Sequence, residues 1–368
     1  MKLTDVVDRI NGNVDRFNTD LEYYIGGEHF ESNELEVTNR GILKENLGKL
    51  GFKFRFAFQD RDVVFMARNP HLRKAGMVRF SGLCSDASYI LRSKDESKIT
   101  QEYLAVMLQS NHFWDYCESH KVGSVNFANN WSSIANYEFD LPSIEKQKEI
   151  SNKVWAAYRL KQAYKKLLAA TDEMVKSQFI EMFKNTPSVK IADCCITVSG
   201  GTPNTKKIEY YDGGDIPWLS SGEINQGYIF STDKYITQLG LENSSAKWVP
   251  ANSVVIAMYG ATAGKVGFIK IPLTTNQAVC TLLPNDGFEP LYLYYATLSK
   301  TSWMISQCRG AAQPNISQSI IRSMEIPMAT IDEQKRFCKL LTQADKSKFE
   351  LKQCIENIDK VIKSLING

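Results

Sequence analysis

The residue types that most often do chemistry are present in this chain, but their spacing does not suit catalysis. Residues 260–265 place two glycines before Lys265, as a phosphate loop would, but Val266 stands where a magnesium-binding hydroxyl is needed. The four histidines include no i,i+4 pair with a nearby carboxylate. The eight cysteines form no C-x-x-C pair, which favours reduced, mostly buried thiols over a zinc site. The sequence therefore predicts a chain that is not an enzyme and holds no metal.

Arg, Lys, Asn and Gln instead cluster in turn-rich segments of both halves. These side chains can make bidentate bonds to base edges, and Gly, Ser and Thr let a backbone approach phosphates. The candidates for DNA contact in the first half are Lys44, Lys53, Arg68, Asn69, His71, Arg73 and Lys74. Those in the second half are Thr202, Asn204, Lys206, Lys207, Tyr259, Arg309, Gln313 and Asn315.

Each of these candidates also has a purely structural interpretation. The lysines near residues 44–53 and the run 68–74 would also suit a solvated surface loop. Residues 310–315 would also suit a turn that covers a strand edge, and Tyr259 would suit a place in the core.

Composition limits the classes of protein that this chain can represent. It has 368 residues and a net charge of +3, so any DNA binding must use local basic patches rather than bulk charge. No run approaches the roughly 18 apolar residues of a membrane span, and the N-terminus alternates charged and apolar residues, unlike a signal peptide. We expect a cytoplasmic protein of two or three domains.

The chain contains an internal repeat. Pro142 and Pro327, each at the end of a short apolar segment, differ by 185 positions, and the Gln-Lys pairs that follow at Gln147 and Gln334 differ by 187. Further matches run backwards with a slowly drifting offset, to 195 between Gly27-Glu28 and Gly222-Glu223. A period this long indicates a duplicated domain with its linker rather than a solenoid.

Each half reads as mixed α/β before its proline. Short β-rich runs are predicted at 52–58, 62–66, 76–80 and 86–91, with equivalents at 247–249, 253–258, 265–271 and 277–283. One helix per half is predicted, at Thr100–His120 and at Glu289–Cys308, with Thr100 as a cap.

After each proline the apolar pattern changes to a period of 3.5, which is typical of a coiled coil. Lys161 and Lys348 occupy the same core slot, where they either set register or extend their charge to water. The short linkers favour antiparallel pairing of the two helices, so that the rod acts as a ruler; the alternative is a tandem duplication with a dimerisation stalk. The apolar docking and coiled-coil candidates are Ile150, Val154, Tyr164, Leu168, Val175, Phe337, Leu341, Leu351, Ile355, Ile358 and Ile362.

The whole chain resembles the specificity subunit of type I restriction-modification systems. The second half carries this resemblance most clearly, in residues 199–203, 215–224, 253–257, 264–267, 275–278, 313–317 and 326–335. These segments add Ser220, Ser221 and Lys265 to the candidate DNA contacts. The first half lacks the Gly-Thr-Pro loop of residues 201–203.

The resemblance implies an α+β fold with two similar mixed α/β target-recognition domains, at 1–143 and 185–329. Two long antiparallel coiled-coil helices, at 144–184 and 330–368, separate them with pseudo-two-fold symmetry. It implies a bipartite, asymmetric duplex DNA target, with one half-site per domain. The implied partners are two adenine methyltransferase subunits and, in some systems, a motor/endonuclease subunit. S-adenosylmethionine, ATP and Mg belong to those partners, and none is expected in this chain.

Two other hypotheses remain open from the sequence. One is a non-catalytic adaptor with two ligand-binding domains on a dimerising coiled coil, which predicts a hydrophobic pocket in each half. The other is an enzyme with an unrecognised site, which predicts a perturbed carboxylate or cysteine in a cleft.

Overall fold

The computed structural model describes residues 1–125, 127–225, 227–310 and 314–368. The chain divides into two compact units. Unit 1 comprises residues 1–167 and 350–368, and unit 2 comprises residues 168–349.

Unit 1 has short strands in its first 93 residues, followed by helices. The strands are β1 (Val7–Ile10), β2 (Tyr23–Ile25), β3 (Glu36–Val37), β4 (Gly41–Ile42), β5 (Phe54–Phe58), β6 (Val63–Met66), β7 (Ala75–Val78), β8 (Gly82–Ser85) and β9 (Ser88–Ser93). The helices are α1 (Leu3–Val6), α2 (Leu43–Asn46), α3 (Gln101–Met107), α4 (Asn111–Ser119), α5 (Trp131–Ala135) and the long α6 (Ile144–Phe183), whose residues 144–167 belong to this unit.

These strands form two sheets. One has the order β1-β9-β6-β7-β3, antiparallel except for the parallel pair β3 and β7. The other has the order β4-β2-β8-β5, antiparallel except for the parallel pair β2 and β8.

Unit 2 begins with the end of α6 and repeats the same kinds of element. Its strands are β10 (Ser188–Lys190), β11 (Thr197–Ser199), β12 (Ile216–Leu219), β13 (Gly227–Ile229), β14 (Tyr235–Ile236), β15 (Trp248–Val249), β16 (Val254–Ala257), β17 (Val266–Ile269), β18 (Leu273–Thr275), β19 (Val279–Leu282) and β20 (Glu325–Pro327). Its helices are α7 (Ile191–Cys194), α8 (Gln238–Glu242), α9 (Pro290–Leu298), α10 (Thr301–Gln307), α11 (Gln318–Ser323) and α12 (Ile331–Asn367), whose residues 350–367 belong to unit 1.

The two large sheets of unit 2 have the same topology as those of unit 1. Their orders are β11-β19-β16-β17-β13 and β14-β12-β18-β15, again with one parallel pair each, β13 with β17 and β12 with β18. β10 and β20 form a further two-stranded sheet. The repeat read from the sequence is therefore a repeat of topology.

Alternation along the central strands creates the layers of each unit. In β6, Val63 and Phe65 pack towards the helices, whereas Val64 and Met66 join the core between the two sheets. β16 does the same in unit 2, with Val254 facing the helices and Val255 the second sheet. A third, smaller core covers the outer face of each four-stranded sheet.

The strand predictions agree with the structure to within about two residues, but the prediction of one helix per half is wrong. Thr100–His120 contains two helices, because the Ser110 hydroxyl accepts the Phe113 N–H at 3.2 Å and starts α4. Glu289–Cys308 is likewise split, since the Thr301 hydroxyl bonds the Leu298 carbonyl at 2.7 Å at the junction of α9 and α10.

The expectation of mostly buried cysteines is also wrong. Cys84, Cys117 and Cys280 are buried, whereas four others are intermediate and Cys354 is exposed. All eight are free thiols, as predicted.

The repeated glutamine has a structural role in both units. The fully buried Gln147 donates to the carbonyls of Lys98 and Pro142, at 2.7 and 3.0 Å, and accepts the Thr100 N–H at 3.1 Å. Gln334 makes the matching three bonds near the start of α9. Each glutamine therefore links the beginning of a long helix to the start of a helix that packs on the sheet, α3 in unit 1 and α9 in unit 2.

The long helices pair antiparallel within each unit, as predicted. In unit 1, Val154 of α6 and Ile362 of α12 share a core. In unit 2, Val175 of α6 packs in the same core as Leu341 of α12. The heptad positions along both helices are buried or half-buried, except for the exposed Gln178.

The two core lysines make equivalent ion pairs. Lys161 Nζ lies 2.7 Å from a carboxylate oxygen of Asp359, and Lys348 Nζ lies 3.1 Å from one of Asp172. Both the lysines and the aspartates are related by the repeat offset of 187. Lys161 also bonds Glu34 at 2.8 Å and is only 6% exposed, so it does not extend its charge to water.

Candidate nucleic-acid interface

In unit 2, the loops that follow four strands meet at one edge of the sheets. The Gly201 N–H bonds the Thr275 carbonyl at 2.9 Å, and the Asn276 N–H bonds the Leu219 carbonyl at 3.0 Å. The Thr262 hydroxyl bonds the Ser221 carbonyl at 2.8 Å. We call this set of loops, residues 200–202, 220–225, 258–265 and 276–278, together with Arg309 and Asn315, which join it through backbone bridges, the recognition edge of unit 2.

Close backbone packing holds this edge together. An added Cβ at Gly200 would lie 1.7 Å from the Thr275 carbonyl oxygen, so this position needs glycine. The sequence Ser199-Gly200-Gly201-Thr202 therefore serves first to bring two loops into contact.

Seven of the predicted contacts of the second half come together here. Thr202 donates to Gln277, Lys265 Nζ bonds Asn225 at 3.3 Å, and Ser220 and Ser221 start a turn stabilised by Glu223. The backbone of Tyr259 forms an antiparallel bridge with Asn315, and the backbone of Asn315 forms another with Arg309. Tyr259 is 45% exposed, so its alternative place in the core is wrong.

Three candidates of the second half lie beyond this edge, and a fourth is not described. Asn204, Lys206 and Lys207 occupy the exposed turn before residues 208–210. Lys207 is used locally, since its Nζ lies 3.1 Å from the Tyr210 hydroxyl, and this hydrogen bond raises the pKa of Lys207. Gln313 lies outside the described residues.

Unit 1 has an equivalent recognition edge, formed by residues 26–29, 67–74 and 86–87. Lys74, the repeat equivalent of Lys265, donates from Nζ to the Gly27 carbonyl at 2.6 Å. The Asn69 N–H bonds the Phe127 carbonyl at 2.8 Å, and Arg68 pairs with Ala128 through its backbone. The side chains of Arg68 and His71 are exposed at this edge.

Arg73, Lys53 and Lys44 are placed differently from one another. Arg73 turns towards α4, with Nη1 donating to Asn111 at 2.8 Å. Lys53 lies at the recognition edge because β5 runs antiparallel to β8, and its Nζ is 3.3 Å from Asp86. Lys44 lies at the opposite edge, since its helix begins where the Leu43 N–H bonds the Glu22 carbonyl.

Seven of the eleven predicted docking residues pack in the cores of the units, whereas Tyr164, Leu168, Leu351 and Ile355 are half-buried. Among the seven, Val154, Val175, Phe337, Leu341 and Ile362 are buried. The apolar residues that α6 exposes include a row one position earlier in the heptad, Leu160, Leu167 and Met174, which are 45, 50 and 47% exposed, and also Ile180, which is 57% exposed. Sequence periodicity predicts the residues that face the partner helix, but it does not predict this second, exposed row of apolar residues.

The part of the chain that the structure describes contains no group of three or more His, Cys, Asp or Glu side chains placed to hold a metal ion. Within the same residues, no helix combines the length and apolar character that a membrane span requires.

A family model described as the type I restriction modification DNA specificity domain matches residues 1–168 and, separately, residues 184–360. The chain belongs to this family. Because the model is that of a specificity domain and matches twice, the chain is a recognition protein rather than an enzyme, as the sequence predicted.

Curated relatives are specificity subunits. The chain is 32% identical over 151 residues to the EcoR124I/EcoR124II specificity subunit of Escherichia coli, covering 40% of this chain and 37% of that protein. It is 31% identical over 184 residues to the MjaIX specificity subunit of Methanocaldococcus jannaschii, covering 49% and 42%. The matches thus span less than half of each relative's length.

Solved structures share the fold over the whole chain. One is a chain from a structure that describes complex assembly and conformational transition of the type I R-M system. It has a TM-score of 0.61 at 14% identity, covering 100% of this chain and 95% of that one. The type I restriction-modification S subunit from M. genitalium has a TM-score of 0.58 at 11% identity, covering 100% and 94%.

Proposed function

We propose that this chain is the sequence-reading subunit of a type I restriction-modification complex. Each unit reads one half of a bipartite, asymmetric duplex DNA target, with target-recognition domains at 1–143 and 185–329 and spacer helices at 144–184 and 330–368. The observation that carries the proposal is the pair of recognition edges, built from equivalent loops but bearing different side chains.

The chemistry of the edges suits DNA readout. The edge of unit 1 exposes Arg68 and His71, and that of unit 2 exposes Arg309, Asn315 and Tyr259. Arg and Asn are donors for guanine and adenine edges, respectively. Because the exposed side chains differ between the units, the two half-sites should differ in sequence.

The proposal gives catalysis to partner subunits. Two adenine methyltransferase subunits would supply S-adenosylmethionine and flip the target base, and a motor/endonuclease subunit would supply ATP- and Mg-dependent cleavage. The exposed row Leu160, Leu167 and Met174 on α6 is the apolar surface we propose for methyltransferase docking.

The adaptor hypothesis has less support. A cavity of about 300 Å³ in unit 1 is lined by charged and amide side chains, including Glu34, Lys161, Lys165 and Gln109. That lining is not hydrophobic, but a second cavity of about 280 Å³ in the same unit has a largely apolar lining that includes Val106, Met107 and Phe139, so unit 1 holds one cavity of the kind that this hypothesis predicts.

Single-molecule methylation sequencing tests the proposal. Cells that carry this gene with its methyltransferase partner should show methylated adenine in a two-part motif, and deletion of this gene should erase that motif. Substituting Tyr259 and Arg309 with Ala should relax only one half of the motif. Substituting Arg68 should affect only the other half, whereas loss of both halves together would contradict one half-site per unit.

A further inference from the structure

Two phenylalanines of unit 1 are exposed far beyond what folding of this chain explains. The side chain of Phe17 is 68% exposed and that of Phe52 is 78% exposed. Scattered exposed apolar residues are normal, but two large rings on neighbouring segments among cations are not.

The backbone places the two segments that carry these rings next to each other. Residues 12–14 run antiparallel along β5: the Ala57 N–H bonds the Gly12 carbonyl at 3.0 Å, and the Val14 N–H bonds the Arg55 carbonyl at 2.8 Å. Both segments turn beyond this pairing, but the Arg16 guanidinium keeps them adjacent, since it donates to the Gly51 carbonyl and lies 4.8 Å from the centre of the Phe17 ring.

Both segments are held in shape without the phenyl rings. The Asp15 carboxylate accepts the Phe17 N–H at 3.0 Å, and the Phe54 N–H bonds the Gly51 carbonyl at 3.2 Å. The two turns that carry the rings are therefore stabilised by hydrogen bonds from the backbone and from the Asp15 carboxylate, not by the rings.

The surroundings of the rings are basic. Residues 12–18 and 49–55 contain Arg16, Lys49, Lys53 and Arg55 and a single acid, Asp15. Asp86 pairs with Lys53 at 3.3 Å, while Lys49 and Arg55 are exposed. A polyanion is the partner that this charge distribution complements.

The pair also lies beside the recognition edge. β5 starts next to the end of β8, with Phe54 opposite Ser85, so Phe52 and Lys53 sit beside Asp86. The same place in unit 2, the start of β15 beside the end of β18, holds Lys247 and the 50% exposed Trp248. An exposed aromatic next to a lysine thus recurs at this position.

We propose that Phe17 and Phe52 form an apolar wedge that inserts between base pairs of duplex DNA beside the half-site of unit 1, with Lys49 and Arg55 on the flanking phosphates. Phenylalanine wedges unstack base steps from the minor groove, and cations around them fix the backbone. The inference rests on the proposed function, because it assumes that unit 1 approaches DNA with its recognition edge.

The test uses the complete complex of this chain with its methyltransferase subunits and the duplex found by methylation sequencing. 2-Aminopurine is placed at successive positions in and beside the unit 1 half-site to report unstacking. Phe17→Ala and Phe52→Ala remove exposed rings, so folding should be kept. Phe230→Ala is the matched control, since Phe230 is 66% exposed at the opposite edge of unit 2.

We expect each ring removal to weaken target binding by about tenfold and to lower the 2-aminopurine signal, with the salt dependence unchanged. Lys49→Ala with Arg55→Ala should instead reduce the salt dependence while the signal at saturation stays. Phe230→Ala should match the wild type.

Three outcomes would overturn the inference. If the wild-type complex binds its target and the ring variants match it in affinity and signal, the rings are not a wedge. If the ring variants fail to assemble with the methyltransferase while Phe230→Ala assembles, the rings face protein. If the wild-type complex shows no sequence preference, the proposed function fails and the wedge fails with it.

Discussion

Lys161 shows how one polar residue can specify a helix pair. Its side chain is 8% exposed and bonds Glu34 and Asp359, whereas Lys348, in the same heptad slot, is 24% exposed and bonds Asp172 and Asp345. Both lysines face an aspartate of the other helix, so the two pairs favour the same antiparallel register. A lysine in an apolar seam disfavours any register that leaves it unpaired.

The difference in burial predicts a difference in stability. Lys161→Met leaves the buried Glu34 with Lys165 and leaves Asp359 without its partner, and should destabilise unit 1 by about 3 kcal/mol. Lys348→Met is the control at the equivalent, more exposed site and should cost about 1 kcal/mol or less in unit 2. Hydrogen exchange of α6 residues 144–167 and 168–183 measures the two units separately. Equal losses would contradict the role of burial.

Glu34 should make unit 1 sensitive to acid. Burial raises the pKa of Glu34, but hydrogen bonds and charges from Lys161 and Lys165 together outweigh burial, so the pKa lies below its ordinary value of 4.5. A depressed folded-state pKa stabilises the fold above the unfolded pKa, and this stabilisation is lost as the pH falls through the folded value. The protection factors of unit 1 amides against hydrogen exchange should therefore fall below about pH 4.5. This fall should be smaller in Glu34→Gln, and an unchanged pH profile in that variant would argue against it.

Arg68 and Arg73 lie five residues apart in one basic run but should behave differently towards DNA. Arg68 is exposed at the recognition edge, so Arg68→Ala should weaken target binding by about 1–3 kcal/mol and relax one base position if it reads a base. Arg73 already bonds Asn111 and lies 3.8 Å from Asp115, so Arg73→Ala should chiefly loosen the contact with α4. Binding titrations and methylation sequencing on both variants separate the roles. A larger DNA effect from Arg73→Ala would reverse the assignment.

At the scale of elements, the buried glutamines should contribute more to the stability of each unit than their positions at the starts of the long helices suggest. Gln147→Leu removes three hydrogen bonds and leaves the Thr100 N–H and the Lys98 and Pro142 carbonyls without their glutamine partner. We expect unit 1 to lose about 2–4 kcal/mol, measured by hydrogen exchange of α3 and the start of α6. Gln178→Leu, at an exposed heptad position of the same helix, should change little. A loss as small as that of the control would mean that water replaces these bonds.

The sequence predicts elements well where the signal is local. Strands such as Val63–Met66 and the heptads of α6 follow from periodicity, and the Thr100 cap is confirmed by its bond to the Tyr103 N–H at 3.1 Å. The break between α3 and α4 was missed because continuous apolar periodicity outweighed one serine cap.

Non-local partners explain what the sequence could not place in the candidate site. Arg73 reads as a DNA contact until its bond to Asn111, 38 residues away, is known. Phe52 reads as strand core until the pairing of residues 12–14 with β5 leaves it outside. Gln147 and Gln334 mark the repeat in the sequence, but the structural role that they share depends on partners such as the Lys98 carbonyl, 49 residues from Gln147.

At the scale of the whole molecule, an internal duplication explains why the two units share so much of their fold. The repeat offset relates Lys161 to Lys348 and Asp172 to Asp359, so one ancestral helix supplied both members of each ion pair. The strand orders of the two units are likewise the same. The exposed side chains of the two recognition edges differ, as the proposed function requires.

Under the proposed function, the shared register also predicts how the gap in the DNA target can be changed. Lys161 and Asp172 are 11 residues apart on α6. Their partners, Asp359 and Lys348, are also 11 residues apart on α12. Inserting one heptad after Leu167 and one after Phe349, at the boundary between the units, keeps both ion pairs and the heptad phase. Seven helical residues add about 10 Å, so the unspecified gap should lengthen by about 3 base pairs.

Methylation sequencing measures this gap directly, and both half-sites should keep their sequences. An insertion in one helix alone is the control, because it moves one ion pair out of register and should reduce methylation rather than shift the gap. If the double insertion leaves the gap unchanged, the helices do not set the spacing. If it changes the bases within a half-site, readout is not confined to the two units.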